Sequence, residues 1–351
     1  MNFSKTLIAW YLKNKRDLPW RNTSDPYQIW LSEIILQQTR VEQGLSYYYE
    51  FTQKFPDAQS LAGANLDEVL KLWQGLGYYS RARNLHEAAR QIVNTHKGKF
   101  PEEYPDILAL KGVGEYTAAA VASFAFNKPH AVIDGNVYRL LSRVFGIKTP
   151  IDSTAGKKEF RELADELLDR KAPGIYNQAI MEFGSQYCKP QNPDCNACTF
   201  SSICLAKQHK LVNELPVKAL KTKVRDRYFQ YLVIKHKNKI WLKQRTAKDI
   251  WQGLFDFPLI ETGKIFSETE LKKNPDWKKY FKGTDPLLTD EPVAYRHILS
   301  HQRIFATFWT IQVKMKTPDK SWVEINLGDI QEYALPRLVD RYLEEGGGDK
   351  E

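Results

Sequence analysis

The sequence predicts a chain of two folded parts, an all-α half followed by an α+β half, and three observations carry that prediction. The chain has 351 residues, 42% of them hydrophobic, which is enough for two cored domains. Apolar residues recur at helical spacing before about residue 206 and at a period of two after about residue 228. Between these stretches, residues 207–227 hold 7 lysines and arginines against 2 acids, whereas the counts are 24 against 22 before them and 20 against 18 after them. The net charge of +9 is therefore centred on the middle of the chain, which fits a polyanionic partner. That middle piece carries Lys210, Lys218, Lys221, Lys223, Arg225 and Pro216 with few large apolar residues, and it reads as a linker. The expected divisions are 1–206, the linker 207–227, 228–346, and a frayed tail 347–351.

In the first half, Asp25 followed by Pro26 marks a helix start: an acceptor side chain for free N–H groups, then a residue whose φ suits the first helical position. Ile29, Trp30 and Ile34, with Leu31 and Ile35, give that helix its apolar residues. Glu33 falls inside it, with Ile29, Trp30, Leu36 and Gln37 as helical neighbours. An acid beside Trp and Ile is partly desolvated, which raises its pKa and lets it donate a proton near neutrality. A solvated mid-helix glutamate is the plainer alternative. Further on, Leu110–Ala118 sets Gly112 and Gly114 between helical patterns, a hairpin tight enough to present backbone N–H groups to a phosphate. An ordinary helix–helix turn is the other reading of that spacing. Next, Val132 and Ile133 deliver Asp134 to the start of a helix expected to run to about Phe145. Asp134 is then an N-cap, and the positive end of the helix dipole is expected to hold it ionised and able to stabilise a cation. Leu163 and Leu167, with Ala164 and Leu168, predict a later helix.

Cys188, Cys195, Cys198 and Cys204 are the chain's only cysteines. Thiolates this close in sequence ligate zinc or an iron–sulfur cluster, whereas a disulfide framework spreads its cysteines along a secreted chain. Zinc modules favour two short cysteine pairs; here one C-x2-C is flanked by single cysteines at longer, unequal distances, which leans towards iron–sulfur. Free buried thiols are the alternative. Residues 1–20 hold no apolar run long enough for a signal peptide, and no stretch approaches a membrane span, so a soluble protein of a reducing interior is expected.

In the second half, Tyr228–Lys235 and Lys239–Arg245 read as strands joined near Lys237 and Asn238 in a hairpin, and Ile304–Val313 reads as another strand. A last helix is expected from Pro336 to Gly346, and no internal repeat is present.

The hairpin, the Val132–Val137 run and the four-cysteine loop together resemble the endonuclease III superfamily of helix-hairpin-helix DNA glycosylases, which flip a base out of the duplex. Leu18-Pro19-Trp20-Arg21, Trp30-Leu31-Ser32-Glu33, Leu36-Gln37-Gln38-Thr39 and the run from Gly75 to Leu85 are similar, more specifically, to the MutY-type adenine DNA glycosylases, and the likeness covers nearly the whole chain. It implies an all-α helix-hairpin-helix glycosylase domain with an iron–sulfur cluster loop, then a Nudix-like α/β domain that reads the lesion. The implied activity is base excision repair, in which adenine opposite 8-oxoguanine or guanine in double-stranded DNA is flipped and hydrolysed away.

Carried over by residue, the resemblance implies that Glu33 protonates the adenine ring and that Asp134 stabilises the oxocarbenium-like sugar, with Tyr116 and Asn136 in support. Arg21 and Glu182 would line the pocket; Gln38, Thr39, Tyr78, Gly112 and Gly114 would meet DNA, Gln38 and Tyr78 by filling and wedging the opened duplex. For Tyr78 and Tyr79, packing is the alternative for one of the pair. Members that also cut the strand carry a lysine where Tyr116 stands; a tyrosine forms no imine, so little or no lyase activity is expected, Lys111 being a slow substitute where proline is commoner. The cysteines would hold one 4Fe-4S cluster shaping a basic loop at Lys189, with no nucleotide cofactor. Trp251, Gly253, Leu254, Phe255, Phe257 and Pro258 resemble the Nudix turn, but the acidic magnesium-binding box does not follow, which counts against a nucleotide pyrophosphohydrolase. Leu299, Ser300 and His301 match the loop that inspects 8-oxoguanine, where phenylalanine is commoner in the first position. A non-catalytic DNA-binding protein is expected to lack one of the acids, yet Glu33 and Asp134 are both present. A monomer without membrane association is expected, in a bacterial cytoplasm beside the nucleoid, with the nucleus as the alternative.

Overall fold

The computed structural model describes residues 2–219, 224–314, 319 and 321–346, so Lys221, Lys223 and the tail 347–351 lie outside the described residues. Contacts divide the chain into two units, Met1–Gly63 with Asn84–Lys221, and Ala64–Arg83 with Thr222–Glu351. The second unit thus takes in a segment from the middle of the expected helical region, a long-range pairing that no local pattern announces.

The first unit is helical. Its start signals work as the sequence predicts: Asp25 Oδ1 accepts from Tyr27 N at 2.9 Å and opens the helix Pro26–Ile35, and Asp134 Oδ1 accepts from Val137 N at 2.8 Å and opens Gly135–Phe145. The helix Glu115–Phe126 is buried without a break from Thr117 to Ser123. Its alanines let neighbours approach on all sides, which is why a helix without an amphipathic stripe stands at the centre. Pro26–Ile35, Tyr104–Leu108 and Pro173–Gln186 pack on it, and Pro173–Gln186 packs in turn on Phe3–Asn14 and Gly135–Phe145. Leu7, Val132, Leu140, Phe160, Ile180, Phe183 and Phe200 form the core, each fully buried side chain contributing roughly 1.5–3 kcal/mol. In the hairpin, Gly112 has φ +76°, and a Cβ there would lie 2.5 Å from Asn84 Cβ, so the turn needs glycine both for its backbone sign and for space.

The second unit is built on a mixed sheet. Strands β1 (Arg225–His236) and β2 (Lys239–Gln244) form the expected hairpin, with Lys237 in the left-handed region of its turn. The short β3 (Phe255–Asp256), β4 (Leu259–Thr262) and β5 (Leu287–Leu288) follow, then β6 (Val293–Ile298), β7 (Gln302–Gln312) and β8 (Val323–Asn326). The order is β3-β2-β1-β7-β5, with β4 on β1, β6 on β7 and β8 on β2. β1 runs parallel to β7 in a register that pairs Tyr231 with Phe308 and Leu232 with Trp309. Alternation puts Leu232, Ile234, Trp309 and Ile311 into a core with Trp277 and Phe281. Tyr231 and Phe308 stack on the other face, where Phe308 also stacks on Tyr342 of the helix Arg337–Glu344 at 4.2 Å between centroids.

Part of the expected linker is anchored. Leu215 is buried and its carbonyl accepts from Arg143 Nε at 3.1 Å. Ile151 N donates to Val217 O at 3.0 Å, and Ala219 N donates to Asp152 Oδ1 at 2.9 Å. The basic composition predicted a linker without showing its path, and here the apolar Leu215 and the backbone groups around it find partners on the first unit.

Candidate active site

Glu33, Tyr116, Asp134, Asn136, Arg21 and Glu182 all line one cavity of about 350 Å³ in the first unit. Glu33 comes from Pro26–Ile35, Tyr116 from the first turn of Glu115–Phe126, Asp134 and Asn136 from the start of Gly135–Phe145, and Glu182 from Pro173–Gln186. Residues remote in sequence meet because Pro26–Ile35 and Pro173–Gln186 both pack on the alanine-rich Glu115–Phe126, and Gly135–Phe145 packs on Pro173–Gln186.

Glu33 is 7% exposed, and the Tyr116 hydroxyl donates to its Oε2 at 2.6 Å. Burial pushes the Glu33 carboxyl up to about 7; the Tyr116 hydrogen bond opposes this, the Asp134 charge adds to it and Arg21 opposes. Burial and the neighbouring Glu33 and Asp134 push the Tyr116 hydroxyl far up, so it remains a donor. The cavity therefore contains an acid that keeps its proton near neutral pH, with one oxygen already occupied by a phenol.

Asp134 is held on both oxygens, by Val137 N at Oδ1 and by Asn136 Nδ2 at Oδ2, 2.7 Å. The helix terminus was expected to hold this acid ionised; burial raises its pKa, and the hydrogen bonds from Val137 and Asn136, with the Arg139 charge, oppose the rise. Arg139 then fixes Asn136, donating from Nη2 to Asn136 Oδ1 at 2.9 Å and to Gly184 O at 2.6 Å, and from Nε to Cys188 O at 2.7 Å. The acid is thus joined through two side chains to the start of the cysteine loop.

Glu182 is 1% exposed and takes Arg16 on both oxygens, Nε at 2.8 Å and Nη2 at 2.7 Å, with Arg21 Nη2 at 2.8 Å. Burial pushes its carboxyl up, but the two guanidinium groups outweigh this and hold it at about 2. Arg16 and Met181 line the cavity although sequence reasoning missed them; Arg16 had no local signal, because its partner lies 166 residues away. Thr39 also borders the cavity, whereas Gln38 is exposed beside it at φ 56°. Gly112 and Gly114 are on the surface, and Gly114 is the N-cap of Glu115–Phe126.

Cys188, Cys195, Cys198 and Cys204 line a second cavity of the same unit, walled by Leu140, Val144 and Phe200. Arg143 Nη1 lies 3.5 Å from Cys188 Sγ and also donates to Lys189 O at 2.7 Å. Among the described residues no three His, Cys, Asp or Glu side chains are grouped so as to hold a metal ion. Four thiols lining one apolar cavity are a donor set for a thiolate-ligated centre, either a zinc ion or an iron–sulfur cluster.

The second unit has its own cavity, about 430 Å³, bordered by Tyr78, Trp251, His297 and Leu299–His301. Leu299, Ser300 and His301 form the turn between β6 and β7, with Leu299 N donating to Gln302 O at 2.8 Å and Ser300 Oγ 3.3 Å from His301 Nδ1. Tyr78 is 45% exposed and Tyr79 is 2% exposed, so Tyr79 is the packed member of the pair. Asp249, which also borders this cavity, is shared by Arg227 and Arg245, and Arg245 also pairs with the buried Asp256. No helix among the described residues is long and apolar enough to cross a membrane.

Residues 31–169 match the family model of the HhH-GPD superfamily base excision DNA repair proteins, and residues 230–345 match that of the NUDIX domain. An adenine DNA glycosylase of Buchnera aphidicola (subsp. Acyrthosiphon pisum) is 37% identical over 349 residues, 97% of each chain. The adenine DNA glycosylase of Homo sapiens is 44% identical over 215 residues, 59% of this chain and 39% of that one. Among solved structures, a thermostable thymine-DNA glycosylase superposes with TM-score 0.55 at 32% identity, covering 59% of this chain and 95% of that one. Endonuclease III in a non-covalent DNA complex gives TM-score 0.52 at 19% identity, over 59% of this chain and 94% of that one, a likeness of fold alone.

Proposed function

Since this chain belongs to the adenine DNA glycosylase family and is a DNA N-glycosylase, we propose that it excises adenine opposite 8-oxoguanine or guanine by hydrolysis without strand cleavage, Glu33 being the acid. The observation that carries this reading is the Tyr116–Glu33 hydrogen bond inside the cavity that Asp134 shares. An adenine flipped into that cavity meets a carboxyl still protonated at about pH 7. Tyr116 occupies Oε2, which leaves Oε1 to carry the transferable proton. Protonating a ring nitrogen lets the base leave with the electrons of the glycosidic bond, and positive charge develops on the sugar. Asp134, ionised for this step and fixed by Val137 N and Asn136, supplies the opposing charge and takes the proton of the water that adds to the sugar. The products are free adenine and an abasic site.

Arg16 and Arg21, pinned by Glu182, give the pocket a polar wall against which a base edge can orient. Extruding a base costs a few kcal/mol, which Tyr78 and Gln38 offset by filling the opened stack. With a tyrosine at 116 the site lacks the amine that would form an imine with the abasic sugar. Ser300 and His301 read the opposing 8-oxoguanine. Cys188, Cys195, Cys198 and Cys204 would hold a 4Fe-4S cluster, which when bound cross-links the loop around Lys189. The protein works as a monomer on DNA, in the cytoplasm as its bacterial relatives suggest.

The test is single-turnover excision from duplexes with adenine opposite 8-oxoguanine, adenine opposite guanine and thymine opposite guanine, with and without alkali, for the wild type and Glu33→Gln. Breaks in the adenine strand only after alkali, fastest opposite 8-oxoguanine and lost in the variant, are expected. Alkali-independent nicking, or preference for thymine, contradicts the reading. A yellow-brown preparation is expected from the cluster, and a colourless zinc-loaded one contradicts that part.

A further inference from the structure

Residues 64–83 join the rest of the second unit through several polar contacts, among them Arg83 Nη1 to Gln252 O at 2.6 Å, Gln244 Nε2 to Asp67 Oδ1 at 3.2 Å and Lys71 Nζ to Tyr333 O at 3.2 Å, and the most connected side chain is Gln74. Gln74 Nε2 donates to Asp340 Oδ1 at 2.8 Å and Oδ2 at 2.7 Å, while Gln74 Oε1 accepts from Leu335 N at 3.2 Å and Lys71 Nζ at 3.1 Å. An amide used at both ends has one orientation available. Asp340 is 7% exposed in the first turn of Arg337–Glu344, so its carboxylate depends on that amide for satisfaction.

Directly after Gln74 the backbone turns through Gly75 at φ 98°, Gly77 at φ 71° and Tyr78 at φ 49°. Glycine adopts this region freely, but a tyrosine there is held by its surroundings. The turn is braced by Trp73 Nε1 donating to Gly77 O at 3.0 Å and by Arg81 Nη2 donating to Leu76 O and Gly77 O, each at 3.3 Å. The Arg81 guanidinium lies 5.6 Å from the centre of the Tyr78 ring. Tyr79 OH donates to Leu335 O at 3.4 Å, the carbonyl of the same residue whose N–H holds Gln74. Tyr78 and Leu299–His301 border the same cavity.

We propose that Gln74 and Asp340 form a clamp that fixes Tyr78 relative to Ser300 and His301, making them positioning residues for lesion discrimination rather than for breaking the glycosidic bond. This rests on the reading of Tyr78 as a wedge and of Ser300 and His301 as the lesion reader. The clamp works because the amide and the carboxylate are complementary: two carboxylates there repel, and an amide facing a carboxylate in the reverse sense binds equally well.

The experiment compares the full-length wild type, Gln74→Glu, the exchanged pair Gln74→Glu/Asp340→Asn, and Tyr78→Ala. Two readouts are taken: single-turnover excision opposite 8-oxoguanine and opposite guanine, and fluorescence of 2-aminopurine placed beside the lesion, which brightens when a wedge unstacks it. The clamp predicts that Gln74→Glu loses the fluorescence rise as Tyr78→Ala does and slows excision opposite 8-oxoguanine about tenfold, more than opposite guanine. The exchanged pair is expected to recover both. Unchanged behaviour in Gln74→Glu overturns the proposal, as does an equal loss on both substrates that follows a lowered Tm and is not recovered by the exchange. A wild type with no preference for 8-oxoguanine refutes the lesion reading alone, and the clamp is then decided by the fluorescence with guanine opposite.

Discussion

Glu33 shows how a side chain is tuned by what surrounds it. Its neighbours Ile29 and Trp30 were visible in the sequence as an apolar setting, and burial does raise its pKa, to about 7. The Tyr116 contact was not visible, since it depends on how two helices cross. With Glu33 as the proposed acid, excision should be full below about pH 7 and fall as pH rises through it. The Tyr116 hydrogen bond lowers that pKa, so Tyr116→Phe should move the alkaline limb to higher pH, while the plateau rate falls by about tenfold as the acid loses its orienting partner. A pH–rate profile of the variant checks this; a limb moved to lower pH contradicts it. Asp134 was legible as a cap, but the burial that raises its pKa was not, because a helix terminus in sequence says nothing of how deeply the terminus is buried.

At the scale of elements, the helix Gly135–Phe145 carries much of the site's rigidity. Asp134 caps it, Asn136 holds Asp134, Arg139 holds Asn136, and Arg143 reaches Lys189 O in the cysteine loop. Local signals found the cap and the hairpin glycines, because those are decided within a few residues. Arg139 was missed, although its spacing of three from Asn136 places both on one helix face. The facing helix comes very close here: a Cβ on Gly184 would lie 2.8 Å from Asn136 O and 2.9 Å from Asn136 Cβ. Gly184→Ala should therefore displace Asn136 and loosen Asp134, costing roughly 1–3 kcal/mol of stability and lowering single-turnover excision about tenfold. Calorimetry beside the excision assay measures both, and wild-type rates in the variant contradict the role given to Asn136.

At the scale of the whole molecule, the change of apolar period in sequence marked two parts, and the β1–β2 hairpin was readable from alternation and a turn at Lys237 and Asn238. The parallel pairing of β1 with β7 and the membership of residues 64–83 in the second unit were not readable, since both join segments far apart in the chain. Charge and composition suggested a linker but not its path, and Leu215, Val217 and Ala219 are tied down by groups that no composition count reveals. Under the proposed function, bond breaking falls to the first unit and reading of the opposing base to the second. That division of labour is checked by the ratio of single-turnover excision rates opposite 8-oxoguanine and opposite guanine, for the wild type and Ser300→Ala/His301→Ala. The ratio is expected to fall about ten- to a hundredfold, the equivalent of two lost hydrogen bonds, while the rate opposite guanine stays close to wild type. An unchanged ratio, or an equal fall on both substrates, would contradict it.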